Sequence, residues 1–214
     1  MGKLIVMEGI DGSGKSTQLT MLTQRLTREG VEFATVRFPR YDADSSVLVR
    51  KYLGGDFGDK PSDVNAFAAS AFFAVDRFAS YKSEPWGAFY DAGGVVLTDR
   101  YTTSNAIHQG AKLEKAERRA YFQWLYEFEF ERMKLPKPSL VLYHVITAAQ
   151  SLARISAREG AEDIHERDGD YLANCAECAD EAAATLGWTT IDAARDAQTM
   201  HEELYKLVLG ELNG

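Results

Sequence analysis

The sequence predicts an α/β protein in three layers, a parallel sheet held between helices. Three features of the pattern point there. Short apolar or β-branched runs alternate with longer helical stretches along the whole chain, and a glycine-rich turn joins the first run directly to the first helix. Each segment rich in candidate chemistry then follows one of the runs, and ligands of parallel α/β sheets collect at the carboxyl ends of strands. Runs separated by helices also have the long connections that parallel pairing requires.

Taken in order, Lys3–Met7 reads as the first strand, followed by the glycine-rich turn and a helix from about Ser16 to Glu29, with Gly30 placed to end it. Phe33–Phe38 is the second strand, stopped by Pro39. A short helix near Ser46–Leu53 leads into a polar loop with Gly54, Gly55, Gly58 and Pro61, and Ser62 or Asp63 is expected to cap a long helix reaching about Ala79. Val95–Thr98 is the third strand and runs into Asp99-Arg100-Tyr101. A helical stretch follows, then a longer helix from about Glu114 to Lys134 that ends before Pro136. Leu140–Val145 is the fourth strand, Ala148–Arg158 a helix, Glu159–Gly169 a charged polar segment, and Tyr171–Leu186 helix again. Thr189–Ile191 forms a last strand and Met200–Leu209 the closing helix.

At 214 residues the chain fits a single domain, 1–214, with a mobile flap of about 148–169 inside it. Hydrophobic residues make up 45% and charged residues 26%, the balance of an ordinary globular protein with a sizeable core. The formal net charge of −8 argues against a nucleic-acid partner, which a basic face would attract. Any phosphate-rich ligand must instead be held by a locally basic site within a repelling field. No apolar run approaches the ~18 residues of a membrane span, and the opening residues read as a strand rather than a signal peptide. The only cysteines, Cys175 and Cys178, fall in the Ala/Glu-rich helical stretch, with no second ligand pair and no strand-to-helix turn before them. They read as two buried or half-buried thiols in a reducing, cytoplasmic compartment.

Gly9-Ile10-Asp11-Gly12-Ser13-Gly14-Lys15-Ser16 fits G-x-x-x-x-G-K-[ST] throughout, between a strand and a helix as that pattern requires. Glycines let successive backbone N–H groups turn toward one phosphate, and the following helix N-terminus adds partial positive charge. Lys15 is expected to reach the β- and γ-phosphates of a nucleoside triphosphate, and the Ser16 hydroxyl to ligate Mg²⁺. Thr17 follows at the helix start. No N-K-x-D segment is present to read guanine, and motors or transporters with this loop are usually much larger. The small kinases remain, and the acceptor site separates them.

Three segments carry that site: Phe38-Pro39-Arg40-Tyr41, Phe73-Ala74-Val75-Asp76-Arg77, and Asp99-Arg100-Tyr101 extending through Ser104 and Asn105. Phe73 and Arg77 are four residues apart and share one helix face, so a ring and a guanidinium there can stack on a flat base and bond its edge. Taken alone, a Phe at helical spacing is core packing and an Arg a surface charge. With Leu135-Pro136-Lys137-Pro138 and the phosphate loop, these segments resemble the thymidylate kinase family over nearly the whole chain.

The resemblance implies the P-loop nucleotide hydrolase fold with a helical flap closing over the site, and transfer of the γ-phosphoryl of ATP to dTMP with Mg²⁺. It implies a homodimer through the long helices beginning near Asn65, Thr103 and Glu114. By the same resemblance Phe73 stacks on thymine and Arg77 bonds its O4, Arg40 and Arg100 hold the monophosphate, and Phe38, with Pro39, packs near sugar and base. Asp11 bonds the 3′-hydroxyl and lies near Mg²⁺, Asp99 supports Mg²⁺ through its water shell, and Asn105 and Gln109 contact the base. The cation that closes on the transferred phosphoryl varies within the family. Some members place it directly after the acidic residue of the loop, but here that position is Gly12. The flap arginines Arg154, Arg158 and Arg167 are therefore the candidates, Arg158 first and Arg167 second. His108 stands where many members carry Tyr or Phe beside the sugar, His165 is a second candidate near the sugar, and Val145 stands where many have Asp.

Two other readings fit the same motifs. A related P-loop kinase could act on another nucleotide or on a free deoxynucleoside, with Glu8 as the base that deprotonates its hydroxyl. A non-catalytic P-loop switch would bind nucleotide and regulate a partner.

Overall fold

The computed structural model describes residues 2–156 and 169–214. Its centre is a five-stranded, wholly parallel sheet: β1 (Lys3–Glu8), β2 (Phe33–Arg37), β3 (Val95–Asp99), β4 (Leu140–Val145) and β5 (Thr189–Asp192), in the spatial order β2-β3-β1-β4-β5. Lys3 pairs with Val95 and Ile5 with Leu140, so β1 lies between β3 and β4. Successive side chains of a strand point to opposite faces, yet Leu4, Ile5, Val6 and Met7 are all fully buried. Helices must therefore cover both faces, which is the predicted layered arrangement.

Helix α1 (Lys15–Arg28) follows β1 directly, and α2 (Val47–Leu53) follows a single 3₁₀ turn. The long α3 spans Ala66–Ser83 and α4 spans Pro85–Asp91. After β3 come α5 (Thr102–His108) and α6 (Lys115–Tyr126), then α7 (Ala148–Ser156), α8 (Gly169–Leu186) and α9 (Ala197–Asn213). Helices α1 and α9 pack on each other, and α5, α6 and α8 form a second group. Cys175 and Cys178 are free and fully buried inside α8, as expected from their setting.

The structure corrects several boundaries. Neither Ser62 nor Asp63 caps α3: both sit in a separate 3₁₀ turn, and the side chain of Asn65 accepts from the Ala68 N–H instead. That helix runs on to Ser83, and α4 restarts immediately because Pro85 supplies the first helical position of a new axis. The single helix expected from Glu114 to Lys134 changes at Glu127 into a π-helical turn, Glu127–Arg132. The closing helix is longer than the expected Met200–Leu209: it spans Ala197–Asn213 and is capped by Asp196, whose side chain accepts from the Thr199 N–H. The far end of the flap, including Arg158, His165 and Arg167, lies outside the described residues.

Candidate active site

The carboxyl ends of β1 and β3 lie side by side, since Met7 pairs with Asp99. From β1 the chain enters the loop Gly9–Ser16. Gly9 and Gly12 take φ of +150° and +73°, and a Cβ on Gly12 would stand 2.9 Å from the backbone oxygen of Ser151. A side chain at position 12 is therefore excluded by α7 as well as by the backbone turn. Helix α1 starts at a left-handed Gly14 with no side-chain cap, so the N–H groups of its first turn remain open to an anion.

Lys15 is buried and folded back on its own loop. Its Nζ donates to the backbone oxygens of Gly9 (2.8 Å) and Ile10 (3.0 Å) and to Ser13 Oγ (3.3 Å). Burial, with the charge of Arg100, lowers its pKa to about 8. Ser16 Oγ donates to Asp99 Oδ2 at 2.9 Å, and Arg37 lies 3.5 Å from the same oxygen. The other oxygen, Asp99 Oδ1, is buried without a hydrogen-bond partner among the described residues. A hydroxyl and a carboxylate with one bare oxygen form the hard-oxygen donor set that Mg²⁺ takes, usually with substrate phosphates and water completing the shell. These residues fit the ion.

A cleft of about 520 Å³ opens over this loop, lined among others by Lys15, Asp99, Arg100, Arg154 and Arg195. Helix α7 is docked on its rim: Ser151 Oγ donates to the backbone oxygen of Asp11 (2.6 Å), and Arg154 to those of Gly12 (3.1 Å) and Ala193 (2.9 Å). Arg154 thus joins the phosphate loop to the segment after β5.

Arg100 adopts a left-handed backbone, φ +68°, with its N–H on the Met7 oxygen (3.2 Å). That turn swings its guanidinium over the loop to pair with Asp11, while NH1 reaches Ser104 Oγ (3.4 Å) and His108 Nε2 (3.0 Å). An imidazole nitrogen that accepts from a guanidinium must be neutral. Accordingly burial, with the Arg100 charge, takes the His108 pKa down to about 3. Tyr171 Oη donates to the His108 backbone oxygen at 2.6 Å, tying α8 to this corner. Glu8, completely buried, accepts from the Gly9 N–H (2.8 Å) and from the hydroxyls of Thr103 (2.5 Å) and Ser104 (2.8 Å).

The second group of predicted residues lies along α3. Arg40 donates to Asp76 (Nε to Oδ1, 3.2 Å), to Ser45 Oγ (2.7 Å) and to Glu84. Arg77 is buried and forms a bidentate pair with Glu129, Nε to Oε2 at 2.7 Å and NH2 to Oε1 at 2.5 Å. Phe73 is half-buried, its ring edge-on to Tyr52 with centroids 6.2 Å apart. The Phe38 ring is 2% exposed and packs in the core against Trp86 and Tyr101, so this residue is a wall rather than an open surface. Asn105 Nδ2 donates to the Ser70 oxygen (3.2 Å), and Gln109 Oε1 is buried without a partner among the described residues.

The structure thus brings Asp11, Lys15, Ser16, Asp99, Arg100, Ser104 and His108 to one sheet edge, and Arg77 and Asn105 to a second cluster next to it. Sequence reading gave no role to Glu129, Glu84 or His144. The last is fully buried under the loop, and burial lowers its pKa to about 4, with the charge of Lys15 acting in the same direction. Asp76 was legible only as part of a motif. A helical acid gives no sign in sequence that it turns inward.

A loop of this geometry, beside a hydroxyl–carboxylate pair and at the end of a parallel sheet, defines a P-loop nucleotide-binding protein. A sequence model of thymidylate kinase matches residues 7–204. The chain belongs to the thymidylate kinase family. It is 33% identical to the thymidylate kinase of Mycobacterium tuberculosis over 192 residues, covering 86% of this chain and 87% of that one. It is 30% identical to the human thymidylate kinase over 208 residues, covering 95% and 88%. The fold resembles the solved structure of thymidylate kinase from Candida albicans, with a TM-score of 0.73 at 22% identity over 99% of this chain and 93% of the other.

Proposed function

We propose that this protein is a dTMP kinase, moving the γ-phosphoryl of ATP to the phosphate of dTMP to give dTDP and ADP on the way to dTTP. The observation that carries the reading is the Asp11–Arg100 pair set against the phosphate loop, an acceptor-side cation within reach of the donor cradle. Two polyanions meet in line there, and a phosphate oxygen of the acceptor is already a competent nucleophile. The chain's work is then positioning and charge stabilisation rather than proton removal. Lys15 swings from its backbone oxygens to the β- and γ-phosphates, the open N–H groups at the start of α1 hold the rest of the donor, and Arg100 orients the acceptor phosphate. Ser16 and Asp99, with Asp11 nearby, would hold Mg²⁺, which offsets charge on the donor phosphates when bound.

On the base side, Phe73 stacks on the pyrimidine while Arg77, Asn105 and Gln109 read its edge. Arg40 contributes to the acceptor phosphate once released from Glu84, and His108 stands beside the sugar. The closing arginine is Arg158, with Arg167 second, carried on a flap of about 148–169 within one domain. Arg154 serves the donor side from the flap's base. The protein acts as a homodimer: α3 exposes an apolar stripe of Phe67 (44%), Val75 (49%) and Phe78 (37%), which a partner copy would cover. Free buried thiols suit a cytoplasmic enzyme, and no helix among the described residues is long and apolar enough to cross a membrane.

The free-nucleoside reading loses support at Glu8. Its carboxylate is enclosed by three donors and has no exposure, which leaves no approach for a substrate hydroxyl. Coupled-assay ADP release with Mg·ATP and a panel of dTMP, dUMP, UMP, dGMP and thymidine tests the proposal. Turnover should depend on dTMP. ATP hydrolysis indifferent to every monophosphate would overturn it in favour of a switch.

A further inference from the structure

The bidentate pair between Arg77 and Glu129 lies at the centre of a larger network. Glu129 is fully buried, at the π-helical turn Glu127–Arg132, and four donors converge on its carboxylate. Oε2 accepts from Arg77 Nε (2.7 Å) and Thr102 Oγ1 (2.7 Å), and Oε1 from Arg77 NH2 (2.5 Å) and Asn105 Nδ2 (3.4 Å). An ionised carboxylate only accepts, so each neighbour must turn a donor toward it.

Two consequences follow for the side chains proposed to read the base. Arg77 has one edge of its guanidinium fixed, which leaves NH1, now 3.4 Å from the Tyr101 backbone oxygen, as the donor on the other side. Asn105 has its Nδ2 turned to Glu129 and to the Ser70 oxygen, so its Oδ1 is the atom presented elsewhere, and no described residue donates to it. The pair therefore offers one donor and one acceptor. Thymine and uracil present an acceptor at O4 and a donor at N3, whereas cytosine presents a donor at N4 and an acceptor at N3.

We propose that Glu129 is a positioning residue that sets the hydrogen-bond polarity of the base site, so that keto pyrimidines such as thymine are accepted and cytosine is rejected. The inference rests on the reading of Arg77 and Asn105 as base contacts. Glu129 itself does not touch the nucleotide.

Glu129→Gln replaces one acceptor oxygen with a donor and keeps the shape. Facing Asn105, that donor turns the Asn105 amide over, and facing Arg77 it breaks the bidentate pair. With saturating Mg·ATP, KM for dTMP should rise about tenfold, the loss of one hydrogen bond to a charged group, while KM for ATP holds. The kcat/KM ratio of dTMP over dCMP should narrow by about tenfold. A purely structural role would lower the melting temperature and leave that ratio alone. Glu129→Asp keeps the charge at shorter reach and should fall between; it decides the question by itself if Glu129→Gln does not fold. A ratio within twofold of wild type in the folded variants overturns the proposal. Arg77→Met separates the two levels. If it leaves KM for dTMP unchanged, the base-reading role of Arg77 fails and this inference falls with it. If it raises KM while the Glu129 variants keep the wild-type ratio, only the role of Glu129 is lost.

Discussion

Lys15 of the phosphate loop and the arginines proposed to face the acceptor are held in different ways. Lys15 rests on two backbone oxygens and a hydroxyl, none of which carries a full charge. Arg40, Arg77 and Arg100 each rest on a carboxylate: Asp76 and Glu84, Glu129, and Asp11. A cation held by carbonyl oxygens keeps its charge available and can transfer to a phosphate at little electrostatic cost. A cation held by a carboxylate is largely neutralised but fixed in direction. On the function proposed above, the donor side is thus arranged for charge, where the transition state would need it, and the acceptor side for orientation, where discrimination would need it.

If that division is right, donor-side losses should appear in kcat and acceptor-side losses in KM for dTMP. The largest expected effect is Arg158→Ala, a fall in kcat of roughly 10³–10⁵-fold with little change in KM for dTMP. Near-normal turnover in steady-state assays would remove that residue from the mechanism. Lys15→Met should lower kcat by roughly 10²–10³-fold. Wild-type kcat/KM for Mg·ATP should also decline as pH rises past about 8, where Lys15 loses its proton in the free enzyme, and a flat profile to pH 9.5 (about) would contradict its role. The fold responds oppositely. Between about 8 and its ordinary value of 10.5 the unfolded chain binds the extra proton, so the contribution of Lys15 to stability rises with pH. Thermal melts across that window, compared with Lys15→Met, should show the difference.

Phe73→Ala should raise KM for dTMP by about tenfold, in line with roughly 1–3 kcal/mol for stacking on a base, while KM for ATP is unchanged. Equal loss for both substrates would merge the two sides of the cleft again. The smallest expected effect is Glu84→Gln, which relieves Arg40 of a competing, partly exposed anion. KM for dTMP should drop by up to about fivefold, the scale of an exposed ion pair, and a rise would place Glu84 among the residues that orient Arg40 for binding.

The same division governed what the sequence disclosed. The donor cradle is contiguous, its function belongs to the backbone, and glycine positions with one lysine suffice to reveal it. Strand β4 spans Leu140–Val145 as expected, a run rich in apolar and β-branched residues that begins directly after Pro138-Ser139. The acceptor side depends on partners far apart in the chain. Glu129 sits 52 positions from Arg77 in a stretch that reads as an ordinary charged helix, and nothing local marks the π-helical turn there. Ser62 and Asp63 mimicked a cap because the same polar residues suit 3₁₀ turns and helix starts, while the cap in fact used is the local bond from the Ala68 N–H to Asn65. The helix Pro85–Asp91 was not anticipated at all, although its proline sits at the first helical position, where the missing N–H costs nothing.

The backbone of Arg100 has a consequence for stability. A residue bearing a Cβ in the left-handed region gives up about 1–2 kcal/mol that glycine would keep. Strand β3 is therefore followed by a strained residue, in the conformation that turns its guanidinium toward Asp11. A glycine in its place would adopt the same turn without that penalty, and would leave Asp11 without its guanidinium partner.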